Sequence, residues 1–318
     1  GLVTSTGSGL AVPDWPLSYG QFFPPMVGGI FFEHGHRLVA ATVGVLTTIL
    51  AIWLILREER RAVRMTGIAA LGAVILQGVL GGLTVLYLLP TSISVAHACL
   101  GQIFFCITVT LALVTSPFWR RSLEVTAGTN HPLPLPLLAA LTTGMIFLQL
   151  VLGALMRHTG AGLAIPDFPI VGGRLPDLST REAVIHFAHR LGALAVSGVI
   201  LVTFLRMRRE GARFPEISRT ARGMLLLLTI QVLLGIFTVL SRKSVAITTA
   251  HVATGALLLA TSLLLTLLSF RRFPIAREEK AIRSLWRGLG RFTPSGTPER
   301  NADGDVAHQR YATGRQQG

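Results

Sequence analysis

Seven apolar runs, at about 32–56, 65–88, 93–116, 134–156, 183–207, 222–241 and 246–270, constrain this chain more than any other feature. Each is long enough to cross a bilayer as a helix rising 1.5 Å per residue. A backbone in lipid must satisfy its own polar groups, so runs of this length read as spanning helices. Only 14% of the residues are charged and 51% are hydrophobic, which fits the same class. The expected fold is all-α and polytopic in a membrane. Pro13, Pro16, Pro24 and Pro25 exclude a further spanning helix within the first thirty residues.

The net charge of +14 is carried mostly by arginines at alternate ends of these runs. Arg57, Arg60, Arg61 and Arg64 follow the first run, and Arg120 and Arg121 follow the third. Arg206, Arg208, Arg209, Arg213, Arg219 and Arg222 separate the fifth from the sixth, and Arg271 and Arg272 follow the seventh. Short arginine-rich loops stay cytoplasmic. The Pro-rich opening and the loops 89–92, 157–182 and 241–245 are therefore expected outside, with Arg157, Arg174, Arg181, Arg242 and Lys243 as a minority against the rule. No basic face on a soluble domain is visible, so nucleic acid is excluded as a partner and membrane lipid is expected instead. Cys99 and Cys106 lie seven apart within one apolar run and read as packing residues, not as a disulfide or zinc site. Residues 273–318 are polar and punctuated by glycine and proline, and are expected to form a disordered cytoplasmic tail, with one short amphipathic piece near 281–289.

The chain is also duplicated. Thr6-Gly7-Ser8-Gly9-Leu10-Ala11-Val12-Pro13-Asp14-Trp15-Pro16 matches Thr159-Gly160-Ala161-Gly162-Leu163-Ala164-Ile165-Pro166-Asp167-Phe168-Pro169, 153 residues on. His36 and His189 are separated by the same 153, and Gln77 from Gln231 and His97 from His251 by 154. One register through four landmarks identifies a repeated unit. It aligns residues 1–16 with the end of the run 134–156, so a spanning helix is expected ahead of Gly1, making eight in a complete protein. The expected organisation is an N-terminal half over 1–116, a cytoplasmic linker over 117–133, a C-terminal half over 134–272 and the tail.

Four histidines fall about one turn inside the outer ends of their helices: His36 and His97 in the first half, His189 and His251 in the second. Two imidazoles at matching depth on neighbouring helices can clamp a metal from opposite faces, and bis-histidine haem iron suits them better than zinc. Glu33 shares a helix face with His36, three residues away, where a partly desolvated carboxyl suits proton handling; a helix N-terminal acid is the plainer alternative. At the matching position the second half has His186. His186 shares a face with His189 and competes with it as a ligand, although the register favours His189. His34 is expected to face away from His36, and His131, His158 and His308 to be solvated. Arg37 and Arg190 each follow a candidate ligand and suit either haem propionates or a snorkelling role. Gln77, Gln149 and Gln231 each open a Gln-x-x-Leu-Gly pattern that suits close helix packing. Asp14 and Asp167 read as turn anchors, with a substrate contact by Asp14 or Trp15 as the alternative.

Through Thr6–Pro16, Glu33-x-x-His36-Arg37, His97, His189-Arg190 and His251, the chain resembles the haem A synthase family (CtaA in bacteria, Cox15 in mitochondria) over about residues 1–270. The resemblance implies an eight-helix membrane enzyme of two pseudo-symmetric four-helix bundles. It implies oxidation of a ring methyl group of haem O to a formyl group by successive hydroxylations, giving haem A for cytochrome c oxidase. By the same resemblance His189 and His251 ligate a resident haem b. His36 and His97 lie where haem O is processed, with Glu33 as the essential acid. Implied partners are haem O, an electron donor, haem O synthase or cytochrome c oxidase assembly factors, and a second copy of the chain. The implied location is the bacterial inner (plasma) membrane, or the mitochondrial inner membrane in a eukaryote. Some relatives carry a cysteine pair in the first outer loop; this sequence has none there. The alternative function is a non-catalytic bis-histidine di-haem cytochrome that passes electrons.

Overall fold

The computed structural model describes residues 1–121, 132–168 and 176–273. Seven helices long and apolar enough to span a membrane carry the fold: α1 (Gly28–Arg57), α2 (Arg61–Leu86), α3 (Thr91–Thr115), α4 (Leu135–His158), α5 (Arg181–Glu210), α6 (Pro215–Leu240) and α7 (Val245–Arg272). No strand occurs among the described residues. The chain is an all-α polytopic membrane protein. The amphipathic piece near 281–289, the rest of the tail, His131, Arg174 and His308 lie outside the described residues.

Helix boundaries run further into polar sequence than the apolar runs do. Helix α6 begins at Pro215, seven residues before the run expected at 222, with proline in its first turn and Glu216 beside it. Both residues suit a helix start, where a missing N–H costs nothing and the dipole favours an acid. The region ahead of α1 contributes only a short helix, Leu2–Ser5, and a loop with a cis Trp15–Pro16 bond.

In the C-terminal half each helix packs on its neighbours, α4 on α5, α5 on α6, α6 on α7 and α7 back on α4, closing a four-helix ring. The three N-terminal spans form an open row, α1 on α2 and α2 on α3, with α3 docked against α4 and α7. Half of the apolar window of α7 is buried, more than in any other span, because this helix touches both halves. Large apolar side chains such as Trp53, Leu148 and Leu226 face outward, as a lipid-facing surface requires.

The dense cores sit toward the arginine-rich ends of the helices. Ile200, Met207, Ile217, Met224 and Leu265 centre one, and Leu54, Val63, Leu111, Val114 and Trp119 the other. The arginines there also act as clamps. Arg271 stacks 4.3 Å over Trp119 and donates to the carbonyls of Trp119 and Arg121, tying α7 to the segment that follows α3. Arg272 pairs with Glu216 and covers the Phe214 ring at 4.4 Å. Arg60 bonds Glu58 and the Val114 carbonyl. Packing at this end leaves the opposite end, where the histidines are, free to be hollow.

Candidate functional site

The duplicated sequence folds into duplicated detail. Gly7 and Gly160 adopt the left-handed conformation, at φ 68° and 75°. The turn ending α2 has Leu88 and Leu89 at φ 58° and 61°, and the turn ending α6 has Arg242 and Lys243 at 51° and 66°. Leu89 N–H donates to the Thr84 carbonyl at 2.7 Å, and Lys243 N–H to that of Thr238 at 2.8 Å.

At the head of α1, Glu33 and Arg37 hold the preceding loop. The Val12 N–H donates to Glu33 Oε2 at 2.8 Å, while Oε1 accepts from Arg37 at 2.8 Å. Arg37 also donates to the carbonyls of Asp14 and Leu17, both at 2.7 Å, and of Val12 at 3.1 Å. Glu33 is 4% exposed, so both oxygens are paired out of water. In the second half the Ile165 N–H donates to His186 Nδ1 at 3.2 Å, and Arg190 donates to the Ile165 carbonyl at 2.9 Å. His186 therefore faces its loop, in the place of Glu33. His34 turns away from His36, as expected, with Nδ1 2.8 Å from Ser18 Oγ.

Asp14 is a turn anchor, accepting from the N–H groups of Tyr19 at 2.7 Å and Gly20 at 2.8 Å. Those backbone donors, Gly20 foremost, hold its carboxyl below the usual range. Trp15 lies against Gly82, where any Cβ would stand 2.6 Å from its indole. Its counterpart Phe168 lies under Arg190, 5.8 Å from ring centroid to guanidinium.

Three of the four histidines share one construction, a glycine against the imidazole edge. A Cβ at Gly81 would stand 3.2 Å from His97 Cε1; at Gly153 and Gly235 it would stand 3.1 Å from Cε1 of His189 and His251. Four residues before each glycine is a glutamine that reaches the histidine's own helix: Gln77 against Gly101, Gln149 against Gly192 and Gln231 against Gly255. Gln149 also donates to the His189 carbonyl at 2.8 Å and lies 3.1 Å from its Nδ1. His251 Nδ1 is 3.1 Å from the Gln231 carbonyl. A carbonyl only accepts, so Nδ1 carries the proton and Nε2 keeps its lone pair. The glutamines, expected as packing residues, are also partners of the histidine helices.

One cavity of about 1660 Å³ joins the two halves, and His36, His97, His189 and His251 all line it. Its volume exceeds the roughly 300–1,000 Å³ of a pocket for one drug-sized ligand. His97 lies within charge range of His36 and of His158, and His189 within range of His251 and His186. His158, expected in solvent, closes α4, is half-buried and lines the cavity. Among the described residues no three histidine, cysteine or acidic side chains gather into a metal cluster. Paired imidazoles with glycine-cleared edges fit a flat macrocycle carrying its own iron. Cys99 and Cys106 are both free.

Residues 27–263 match the model of a family described as COX15-CtaA, cytochrome oxidase assembly protein. A heme A synthase of Symbiobacterium thermophilum is 28% identical over 237 residues, 73% of this chain and 77% of its own length. A heme A synthase of Bacillus cereus strain 03BB102 is 26% identical over 285 residues, 87% of this chain and 89% of its own. One from Bacillus anthracis strain A0248 matches to the same extent.

Proposed function

The chain belongs to the COX15-CtaA family of cytochrome oxidase assembly proteins, and on that premise we propose that it is a haem A synthase, an oxidoreductase that converts a ring methyl group of haem O to a formyl group by successive hydroxylations. The names of its relatives support this reading. The structural observation that carries it is one large cavity lined by two pairs of histidines. The proposed setting is a bacterial inner membrane, and the product serves cytochrome c oxidase.

In this proposal His189 and His251 hold a resident haem b, and Gln231 and Gln149 orient their rings from behind. His36 and His97 hold haem O in the N-terminal half. Oxygen activation and electron transfer are the chemistry a bound haem supplies. The protein supplies ligation, orientation and proton control. Glu33, three residues from His36, is the acid that the second half replaces with His186. Its two oxygens are engaged by Val12 and Arg37, which fix its position beside the cavity.

The deciding experiment is coexpression of the full-length protein with a haem O synthase, followed by pigment extraction and chromatography. Haem A in the extract is the expected result. Haem B and haem O alone would leave the chain as a di-haem electron carrier.

A further inference from the structure

The two halves differ in charge in one repeated turn, Leu88-Leu89 against Arg242-Lys243, whose second residue lines the cavity in each half. Leu89 and Lys243 occupy matching left-handed turns, with the same backbone bond to a threonine carbonyl. Their side chains occupy the same place. A Cβ at Gly9 would meet Leu89 Cδ1 at 3.3 Å, and a Cβ at the matching Gly162 would meet Lys243 Cδ at 3.6 Å. Both residues line the cavity. The lysine stem thus packs where leucine packs, and its ammonium is carried onward to the exposed rim.

The neighbouring cations are unequal in number as well. Arg37, at the first-half mouth, donates to three loop carbonyls and Glu33. Its counterpart Arg190 is likewise engaged, donating to the Ile165 carbonyl at 2.9 Å and lying 3.3 Å from His186 Nε2. The second-half wall adds Lys243 and Arg157, the latter donating to the Gly1 carbonyl and Ser5 Oγ. Among the described residues Glu33 is the single acidic residue on the wall, and Arg37 pairs with it. An anionic ligand would therefore meet more positive charge in the second half than in the first.

We propose that the Lys243 ammonium binds a carboxylate of the ligand held between His189 and His251, and that Leu89 denies the first-half site this contact. The difference makes the second site retain a carboxylate-bearing macrocycle and the first release one. This rests on the assignment of a resident haem to the second half, since haem carries two carboxylates on one edge. A charge-assisted hydrogen bond of this kind slows ligand departure and weakens as salt screens it.

The test is transfer of haem b from the purified full-length protein to excess apomyoglobin, followed optically at low and high salt. Lys243→Gln and Lys243→Met are expected to speed transfer about tenfold at low salt, with a smaller effect at high salt. Lys243→Arg, which keeps the charge, is expected to stay near wild type, and Leu89→Lys to leave the rate unchanged. Equal rates for wild type and Lys243→Gln at both salts would overturn the inference while leaving haem A formation unaffected. A wild-type protein that carries no haem b would overturn the underlying assignment, and the inference with it.

Discussion

Val12 and Glu33, 21 residues apart, are joined by a 2.8 Å hydrogen bond from backbone to buried carboxylate. The corresponding bond in the second half runs from Ile165 to His186. Both halves thus fasten the same loop by the same backbone donor, with different acceptors. The loop needs one acceptor, which a neutral imidazole can provide. What Glu33 adds is a second oxygen, a negative charge and a site for a proton within a turn of His36. The second oxygen and the charge serve Arg37, which ties the loop carbonyls; the proton site beside His36 is what loop anchoring does not use.

Replacing Glu33 separates those roles. Glu33→Gln keeps an acceptor for Val12 and removes the charge, whereas Glu33→Ala removes both. The alanine variant is expected to lose about 1–3 kcal/mol of stability through the orphaned Val12 N–H, the glutamine variant less. Both are expected to lose haem A formation and to keep haem b. Full activity in Glu33→Gln would reduce Glu33 to a loop anchor. Disappearance of the haem b spectrum in either variant would contradict the division between halves.

The histidines should divide by half. His189→Ala and His251→Ala are expected to abolish the haem b spectrum of the purified protein. His36→Ala and His97→Ala are expected to retain it and abolish haem A formation. The readout is the reduced-minus-oxidised spectrum beside extracted pigment. The same loss of haem b from all four variants would show that the sites are not independent.

The glycines at the imidazole edges give a test independent of the ligands themselves. Gly235→Ala places a methyl 3.1 Å from His251 Cε1, and Gly81→Ala places one 3.2 Å from His97 Cε1. The ring must shift or the helices must part. Gly235→Ala is expected to cut haem b content severalfold, and Gly81→Ala to cut haem A formation with haem b retained. Gly72→Ala, where a Cβ meets nothing within 4 Å, is the matched control and is expected to be neutral or slightly stabilising.

The apolar runs made the helix class legible from sequence, and the repeat register aligned the four histidines that line the cavity. It also placed His186 opposite Glu33. What it left open was direction: whether His186 faces its neighbour His189 or its loop depends on where Ile165 comes to rest. Arg37 was expected to meet a propionate or to snorkel, yet its donors go to carbonyls 20 to 25 residues upstream. A backbone carbonyl carries no residue-type signal, so composition could not reveal it. His158 followed an apolar run and read as solvated, but α4 continues two residues past that run and brings it to the cavity. The Gln-x-x-x-Gly spacing was visible; that each pair faces a histidine helix needed the packing.

The arginine-rich end offers a stability test with a defined pH dependence. The Glu58 carboxyl is pulled down to about 2, chiefly by side-chain hydrogen bonds from Arg60, which also reaches the Val114 carbonyl on α3. A carboxyl depressed on folding stabilises the protein above its ordinary value of 4.5. That contribution is lost as pH falls through the folded value. Glu58 is 11% exposed and the pair lies near the surface, so its worth at neutral pH is about 1 kcal/mol. Glu58→Gln should therefore melt below wild type at pH 7 in detergent, and the gap should close between about pH 4.5 and pH 2. A gap that stays constant over that range would mean that Glu58 acts through packing, with its charge contributing nothing.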